Sequence, residues 1–437
     1  DYCQKNPEIP GSQMNNILMR LLDIKNRQIG VISLDKDLNI DEVTEIFIRI
    51  NSQGAKLNQA DFAMSKIAAN TEYGGNALRK AIDYFLHLTV EPEWYSDMTK
   101  DTEFMKTQYA NKLEWLKNDS ESIFDLDYND ILRIAFMYKF GRAKLKDLVS
   151  LLGGRDFETR EYKVSIAEES FRKLSEGVID FMNQYTFSNF ILGIKAAGFI
   201  SNKLINSQIT LDFAYTLYLL LNNDPAFEKS QIKHYVAKWF VMSTLTNRYT
   251  GSPETQMDFD IKRIREKGFL AFFQEVEEAN LSETFWNVRL VQLLETSIIN
   301  SPFFNIFIAS QIYESDNALF SNGTKVEYLI KIIGDVHHIF PKQYLRKNGY
   351  NEKTQYNQIA NFTYIDTQVN KEISDKAPNI YFKEAVEQCK QGQALYGNIT
   401  DINILHENIQ KNCIPSDIIN MDHSHYLEFL TARRKMM

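Results

Sequence analysis

The predicted fold of this chain depends on one stretch, Asp335-Val336-His337-His338-Ile339-Phe340-Pro341-Lys342. The preceding apolar run, residues 328–333, is rich in β-branched side chains and predicts a strand that runs into this stretch. Residues 361–366 predict a second strand, and residues 368–375 predict a short helix. We therefore expect a compact unit in the order strand, loop, strand, helix.

Two adjacent histidines on a strand point to opposite sides of it. His337 can therefore face a metal ion while His338 faces a water molecule. Histidine has the side-chain pKa nearest to neutrality, so His338 suits the role of a general base. Asn370, in the predicted helix, offers a neutral oxygen ligand. This donor set indicates a divalent cation, Mg²⁺ or Mn²⁺, with water and phosphate filling the other coordination positions.

These residues resemble the HNH signature, also called ββα-metal or His-Me finger, of bacterial restriction and CRISPR effector nucleases. Asn361 follows His338 by 23 residues, and Asn370 follows Asn361 by 9. The resemblance implies that His338 is the general base, that His337 and Asn370 are metal ligands, and that Asn361 supports the loop of His338. Relatives often have Asp or Glu as the first ligand, so His337 leaves the preferred metal open.

Two further residues of the stretch 335–342 are predicted to act outside the metal-ligand set. Asp335 and Lys342 are predicted to lie in the outer shell of the site or to contact the phosphate. A second pair of histidines, His423 and His425, has no third ligand nearby in sequence. We therefore predict a helix cap there and no second metal site.

A second resemblance involves Phe47-Ile-Arg-Ile-Asn-Ser-Gln-Gly-Ala-Lys-Leu57, which looks like the F-x-R-[IL]-N-x-x-G-x-x-L segment of GmrSD-type restriction proteins. Residues 151–157, 247–252 and 426–433 also look like parts of that architecture. It implies a ParB-like N-terminal domain that binds or hydrolyses nucleotide and helps to sense modified DNA. The nucleotide motif of that domain, Gly-Gln-Gln-Arg, does not occur in this sequence. A nucleotide is therefore expected only through a segment missing from this chain, and NTPase activity stays open.

The predicted architecture is mainly α, a long helical region followed by a ββα-metal nuclease domain. Residues 1–90 are assigned to the remnant of the ParB-like domain, 91–320 to a helical middle domain, and 321–437 to the HNH domain with a C-terminal helix. Asn58 is predicted to cap a helix, and Trp239 and Phe240 to lie in the core. The longer helices are expected at 128–140, 165–187, 211–221, 229–245, 281–299 and 417–437. Residues 246–256 are predicted to be either a functional loop or a capped turn.

Composition limits the class of protein. The net charge is −8, but residues 325–353 contain six Lys or Arg and three acidic residues, so the motif lies in a basic stretch. The three cysteines are far apart in sequence, which argues against a disulfide framework and favours reduced thiols in the cytoplasm. No apolar run is long enough to span a bilayer. The chain begins at Asp1 without an initiator Met, and we expect it to be part of a longer protein.

The sequence thus predicts a DNA endonuclease of restriction or antiphage defence, acting on modified or foreign DNA and not on membranes. Two alternatives stay open, a DNA-binding or regulatory module that does not cleave and a toxin that cuts RNA. The motif does not choose between DNA and RNA. The DNA modification that triggers cutting, the oligomeric state and the need for a partner subunit are also left open.

Overall fold

The computed structural model describes residues 10–28, 31, 33–35, 43, 46, 57–118, 123–157, 159–332 and 336–437. The chain divides into two compact units, Asp1–Leu57 and Asn58–Met437. In the first unit, helix α1 (Gly11–Asp23) continues into a 3-10 turn, Ile24–Asn26, and buries none of its side chains. The motif at residues 47–57 lies outside the described residues except for its last position, and Asp335 lies outside them as well.

The larger unit is mainly α-helical, as the sequence predicts. Its helices up to residue 332 are α2 (Gln59–Ala69), α3 (Gly75–Val90), α4 (Tyr95–Met98), α5 (Ala110–Leu113), α6 (Tyr128–Phe140), α7 (Leu145–Leu152), α8 (Val164–Phe181), α9 (Gln184–Ala196), α10 (Gln208–Asn223), α11 (Ile232–Leu245), α12 (Pro253–Lys267), α13 (Phe269–Asn280), α14 (Leu290–Leu293), α15 (Pro302–Tyr313) and α16 (Val326–Ile332).

Local capping explains where several of these helices begin. Asn58 accepts a hydrogen bond from the Asp61 N–H at 2.9 Å, and Asp61 accepts one from the Asn58 N–H at 2.6 Å, so the predicted cap is confirmed. The predicted helix at 128–140 is confirmed at both ends. Trp239 and Phe240 are 0% and 1% exposed, which confirms them as core residues.

Two helices predicted before residue 321 are wrong in extent. The helix expected at 165–187 ends at Phe181, because Asn183 caps a new helix by accepting from the Thr186 N–H at 3.1 Å. The helix expected at 281–299 is a π-helical turn, Phe285–Arg289, followed by the single turn α14, and residues 295–299 are not helical. Apolar spacing alone did not show either interruption.

The strand predicted at residues 328–333 is also wrong, because residues up to Ile332 form the end of α16. Val326, Leu329 and Ile330 are buried, and their spacing is that of one helix face. Glu327 and Lys331 form an ion pair at 2.7 Å on the exposed side of the same helix. A short run of β-branched residues is compatible with a strand or a helix, and here the three- and four-residue spacing of the buried side chains is that of a helix.

Beyond residue 335 a two-stranded antiparallel sheet is set among short helices. The elements in order are β1 (His337–His338), α17 (Lys342–Lys347), α18 (Lys353–Tyr356), β2 (Phe362–Thr363), α19 (Thr367–Ile373), α20 (Pro378–Gln391), α21 (Ile402–Lys411) and α22 (Tyr426–Met436). The strand expected at 361–366 is thus shorter than predicted, and Asn361 belongs to a 3-10 turn. The helix predicted at 368–375 corresponds to α19. The final helix begins at Tyr426, nine residues later than predicted.

A second hydrophobic core contains Leu319, Phe340 and Leu430, whereas Phe362 of β2 belongs to the larger core of the helical region. Phe340 packs against Tyr426 and Phe429, with ring centroids 5.1 and 4.8 Å apart. The C-terminal helix α22 therefore packs directly against the segment that follows β1. The predicted domain boundaries at residues 90 and 320 stay predictions. Among the described residues, no helix combines the length and the apolar character needed to cross a bilayer.

Candidate active site

The two histidines of β1 lie on opposite sides of the small sheet. His337 pairs with Thr363 and His338 pairs with Phe362 across the antiparallel strands. His337 is 6% exposed, whereas His338 is half-buried with its ring edge-on to Phe362 at a centroid distance of 4.9 Å. One imidazole is therefore enclosed by the protein and the other lies at the border with solvent.

The enclosed imidazole of His337 has an unsatisfied nitrogen. Its Nε2 is buried and makes no hydrogen bond within the described part of the chain. The pKa of His337 is lowered to about 4, mainly by burial and also by the neighbouring His338, against the opposing effect of a hydrogen bond with the Asn370 side chain. His337 is therefore a neutral imidazole at pH 7, which is the form that binds metal ions.

Asn370 is brought to the same place by helix α19. This helix begins where Asp366 accepts a hydrogen bond from the Gln368 N–H at 2.8 Å. Asn370 lies one turn further along and is exposed, and a hydrogen bond with its side chain raises the pKa of His337. The structure thus brings together the two residues that the sequence assigns as metal ligands.

These residues fit a divalent cation. An orphaned buried imidazole nitrogen and a nearby amide oxygen are both ligand atoms, and a cation held by only two of them keeps positions for water and phosphate. Within the described residues no group of three or more His, Cys, Asp or Glu side chains could hold a metal. Asp335 lies outside those residues. His423 and His425 form a 3-10 turn capped by Asp422, as the sequence predicts.

His338 has a partner that the sequence did not reveal. Its Nε2 lies 2.9 Å from Oδ1 of Asn357, the residue that ends helix α18. Burial lowers the pKa of His338, the positive charge of Lys342 lowers it as well, and the bond to Asn357 opposes both. The exposed Lys342 has its Nζ 5.2 Å from the centroid of the Tyr356 ring, and that ring lies 6.4 Å from the His338 ring. Lys342 therefore belongs to the surroundings of His338.

Asn361 directly precedes β2 and is fully buried. The side-chain amide of Asn361 forms hydrogen bonds with both the N–H and the carbonyl of Phe340. The backbone carbonyl of Asn361 accepts a hydrogen bond from the Ile339 N–H at 2.8 Å. The buried hydroxyl of Tyr381 donates to the Ile339 carbonyl at 2.7 Å. The backbone just after His338 is thus held at several points.

Behind Asn361 lies a buried arginine that sequence reasoning did not single out. Arg433 of α22 is 0% exposed and donates to the carbonyls on either side of Asn361, those of Ala360 at 2.9 Å and Phe362 at 2.6 Å. It also donates to the carbonyls of Asn412 and Cys413. The only available signal was its place in the closing segment 426–433, which gave no hint of these contacts.

The polar loop at 246–256, which the sequence left open between a functional loop and a capped turn, is tied to the fold. Arg248 Nε and the Tyr249 hydroxyl donate to Asp260 Oδ2 at 2.7 and 2.9 Å, and Gln256 donates to Oδ1 at 2.9 Å. Asp260 is 0% exposed. Residues 253–256 form the first turn of α12, and Ser252 before it makes no side-chain capping hydrogen bond to the described residues. The contacts of the loop support a structural turn that is held through Asp260 and not by a helix cap.

A protein from Methanocaldococcus jannaschii, the uncharacterized protein MJ0686, is 22% identical to this chain over 386 residues. The match covers 87% of this chain and 56% of that protein, so the chain spans a little over half the length of this relative. No protein-family model matches the chain, and no solved structure matches it. The name of the relative describes no activity, and function has to be inferred from the geometry around His337 and His338.

Proposed function

We propose that this chain is a metal-dependent endonuclease of the HNH type that hydrolyses phosphodiester bonds of DNA. One observation carries the proposal. Adjacent strand residues place His337 beside Asn370 on one side of the sheet, while His338 lies on the other side at the border with solvent. Phosphodiester hydrolysis needs a general base and a cation site close together but separate, and this arrangement supplies both.

In the proposed reaction His338 accepts a proton from water. The water oxygen forms a bond to phosphorus, and the bond between phosphorus and the 3′-oxygen breaks with its electron pair passing to that oxygen. A divalent cation held by His337 and Asn370 would supply Lewis-acid stabilisation of the developing negative charge. Asn361 keeps the segment after His338 in place through its bonds to Phe340.

A nucleic-acid substrate is supported by exposed cations around the pair. Lys342 and Arg346 lie one turn apart on α17 and therefore share a face of that helix, and Lys371 follows Asn370 directly. Such side chains bind phosphates of the backbone without reading sequence. With the resemblance to GmrSD-type proteins, we propose a cytoplasmic role in restriction of modified or foreign DNA.

The test is cleavage of supercoiled plasmid by this chain with Mg²⁺ or Mn²⁺, compared with the His338→Ala variant. The plasmid is supplied unmodified, methylated and phosphorothioated, and structured RNA is a parallel substrate. Nicking or linearisation that is lost with EDTA and in the variant supports the proposal, and the preferred plasmid identifies the trigger. Cleavage of RNA alone, or DNA binding by two equally inactive proteins, would contradict it.

A further inference from the structure

The side chain of Asn357 forms a hydrogen bond with one of the two ring nitrogens of His338. Its Oδ1 lies 2.9 Å from His338 Nε2. His338 Nδ1 makes no hydrogen bond to any residue that the structure describes. A neutral imidazole has one protonated nitrogen and one with a free lone pair, and the position of the proton decides which nitrogen can act as a base.

The position of Asn357 is fixed by its own surroundings. Helix α18 begins with a capping box between Glu352 and Gln355, and the Asn357 N–H ends it by donating to the Lys353 carbonyl at 3.0 Å. The hydroxyl of Tyr426 lies within hydrogen-bond distance of two carbonyls of this helix, that of Gln355 at 3.0 Å and that of Tyr356 at 3.4 Å. Asn357 is half-buried, and the segment that carries it is held against the core by these hydrogen bonds.

We propose that Asn357 is the positioning residue that keeps the proton of His338 on Nε2, leaving Nδ1 as the nitrogen that takes the proton from water. An amide oxygen only accepts hydrogen bonds, so it favours the tautomer with a proton on Nε2. The same bond persists when the ring becomes positively charged, and the carbonyl dipole then stabilises the imidazolium. The proposal rests on the nuclease function proposed above, but the tautomer itself does not depend on activity.

Phe362 and Tyr356 support this assignment by restricting the ring. Phe362 meets the imidazole at an interplanar angle of 86°, and Tyr356 flanks it at 55°. A ring that is packed in this way cannot turn over freely to exchange the two nitrogens. The bond to Asn357 therefore sets both the orientation and the tautomer.

The first measurement is the ¹⁵N chemical shift of the His338 ring nitrogens by NMR at neutral pH in Mg²⁺ buffer. The chain has seven histidines, and the signal is assigned by its loss in His338→Gln. We expect the Nε2-protonated tautomer in the unchanged chain and a mixture of tautomers in Asn357→Leu. A proton on Nδ1 in the unchanged chain would overturn the proposal, since Asn357 would then be donating its own N–H.

The second measurement is plasmid cleavage by Asn357→Leu and Asn357→Asp. Loss of the acceptor is expected to lower kcat about 10- to 100-fold with little change in KM, and the carboxylate of Asn357→Asp is expected to restore most of it. Asn348→Leu is the matched control, because Asn348 also ends a short helix but its side chain donates to the Tyr344 carbonyl and not to His338. Equal kcat losses in Asn348→Leu and both Asn357 variants would mean a structural role only. If the chain cleaves nothing, the NMR result still decides between the tautomers.

Discussion

The side-chain amide of Asn361 bonds to both backbone polar atoms of Phe340. Oδ1 accepts from the Phe340 N–H at 2.8 Å, and Nδ2 donates to the Phe340 carbonyl at 3.0 Å. Phe340 lies two residues beyond His338, so this pair of bonds fixes the backbone where the chain leaves β1. An asparagine is suited to the task because it offers a donor and an acceptor on one planar group.

Replacing this amide should therefore destabilise the C-terminal region. In Asn361→Ala both backbone groups of Phe340 lose their partner in a buried site, which is expected to cost about 2–4 kcal/mol of unfolding free energy. The measurement is urea denaturation followed by tryptophan fluorescence and circular dichroism. Asn348→Ala removes a half-buried amide with a single bond and is expected to cost about 1 kcal/mol. Similar losses in the two variants would contradict the role given to Asn361.

Arg433 should be as sensitive as Asn361, for a related reason. Arg433→Met keeps the apolar stem but leaves four backbone carbonyls without their donor, two of which flank Asn361. We expect a loss of about 3 kcal/mol or more, and a parallel loss of cleavage. Lys435→Met, on the exposed side of the same helical turn, should change neither quantity. A stable and active Arg433→Met protein would show that the carbonyls find other partners.

The loop at 246–256 gives a prediction about stability and not about chemistry. Asp260→Ala leaves the largely buried Arg248 without its buried carboxylate, and we expect it to lower the unfolding free energy by about 3–5 kcal/mol. The double variant with Arg248→Met should recover part of the loss, because both charges are then removed. The check is a double-mutant cycle by urea denaturation. Full additivity of the two changes would contradict the coupling.

The structure brings together side chains that the sequence assigns to one site, although the elements that carry them differ from the predicted ones. These residues are His337 and His338 on β1, Asn361 before β2, Lys342 on α17 and Asn370 on α19. The expected strand at 328–333 is helical, because a short apolar run fits either element and its neighbours decide. The spacing of the motif residues indicates which side chains lie close together in the fold. That indication does not depend on how long the strands are.

Asn357 and Arg433 could not be predicted from the sequence. Each acts through a contact with a residue that is distant in sequence. Asn357 is 19 residues from His338, and Arg433 is 71 residues from Phe362, whose carbonyl it bonds. A single polar residue at the end of a helix has a common local use as a cap, so nothing marks it as a partner of the histidine. Only the fold shows which distant group it meets.

The two histidines should be separable in metal binding. His337→Ala removes a buried nitrogen that makes no hydrogen bond to the residues that the structure describes, so Mn²⁺ affinity is expected to fall about tenfold or more. His338→Ala should bind Mn²⁺ almost as the unchanged chain does while losing cleavage. Electron paramagnetic resonance titration of free Mn²⁺ measures affinity without any need for activity. Equal Mn²⁺ affinity in His337→Ala and the unchanged chain would remove His337 from the cation site.

The pH dependence of cleavage should respond to Lys342. His338 must be neutral to accept a proton, and the positive charge of Lys342 lowers the pKa of His338 by disfavouring the imidazolium. Lys342→Gln therefore raises the pKa of His338, and the acidic limb of kcat/KM should move to higher pH, so that activity falls more at pH 6 than at pH 8. Lys342→Arg keeps the charge and should keep the limb in place.

Lys371→Gln is the control for a simple loss of DNA affinity, since Lys371 is an exposed lysine beside Asn370 and does not contribute to the pKa shift of His338. It should raise KM at every pH without moving the limb. The measurement is kcat/KM from pH 5.5 to 9 at constant ionic strength and saturating Mg²⁺. If Lys342→Gln and Lys371→Gln give parallel profiles, Lys342 acts on the phosphate alone and not on the base.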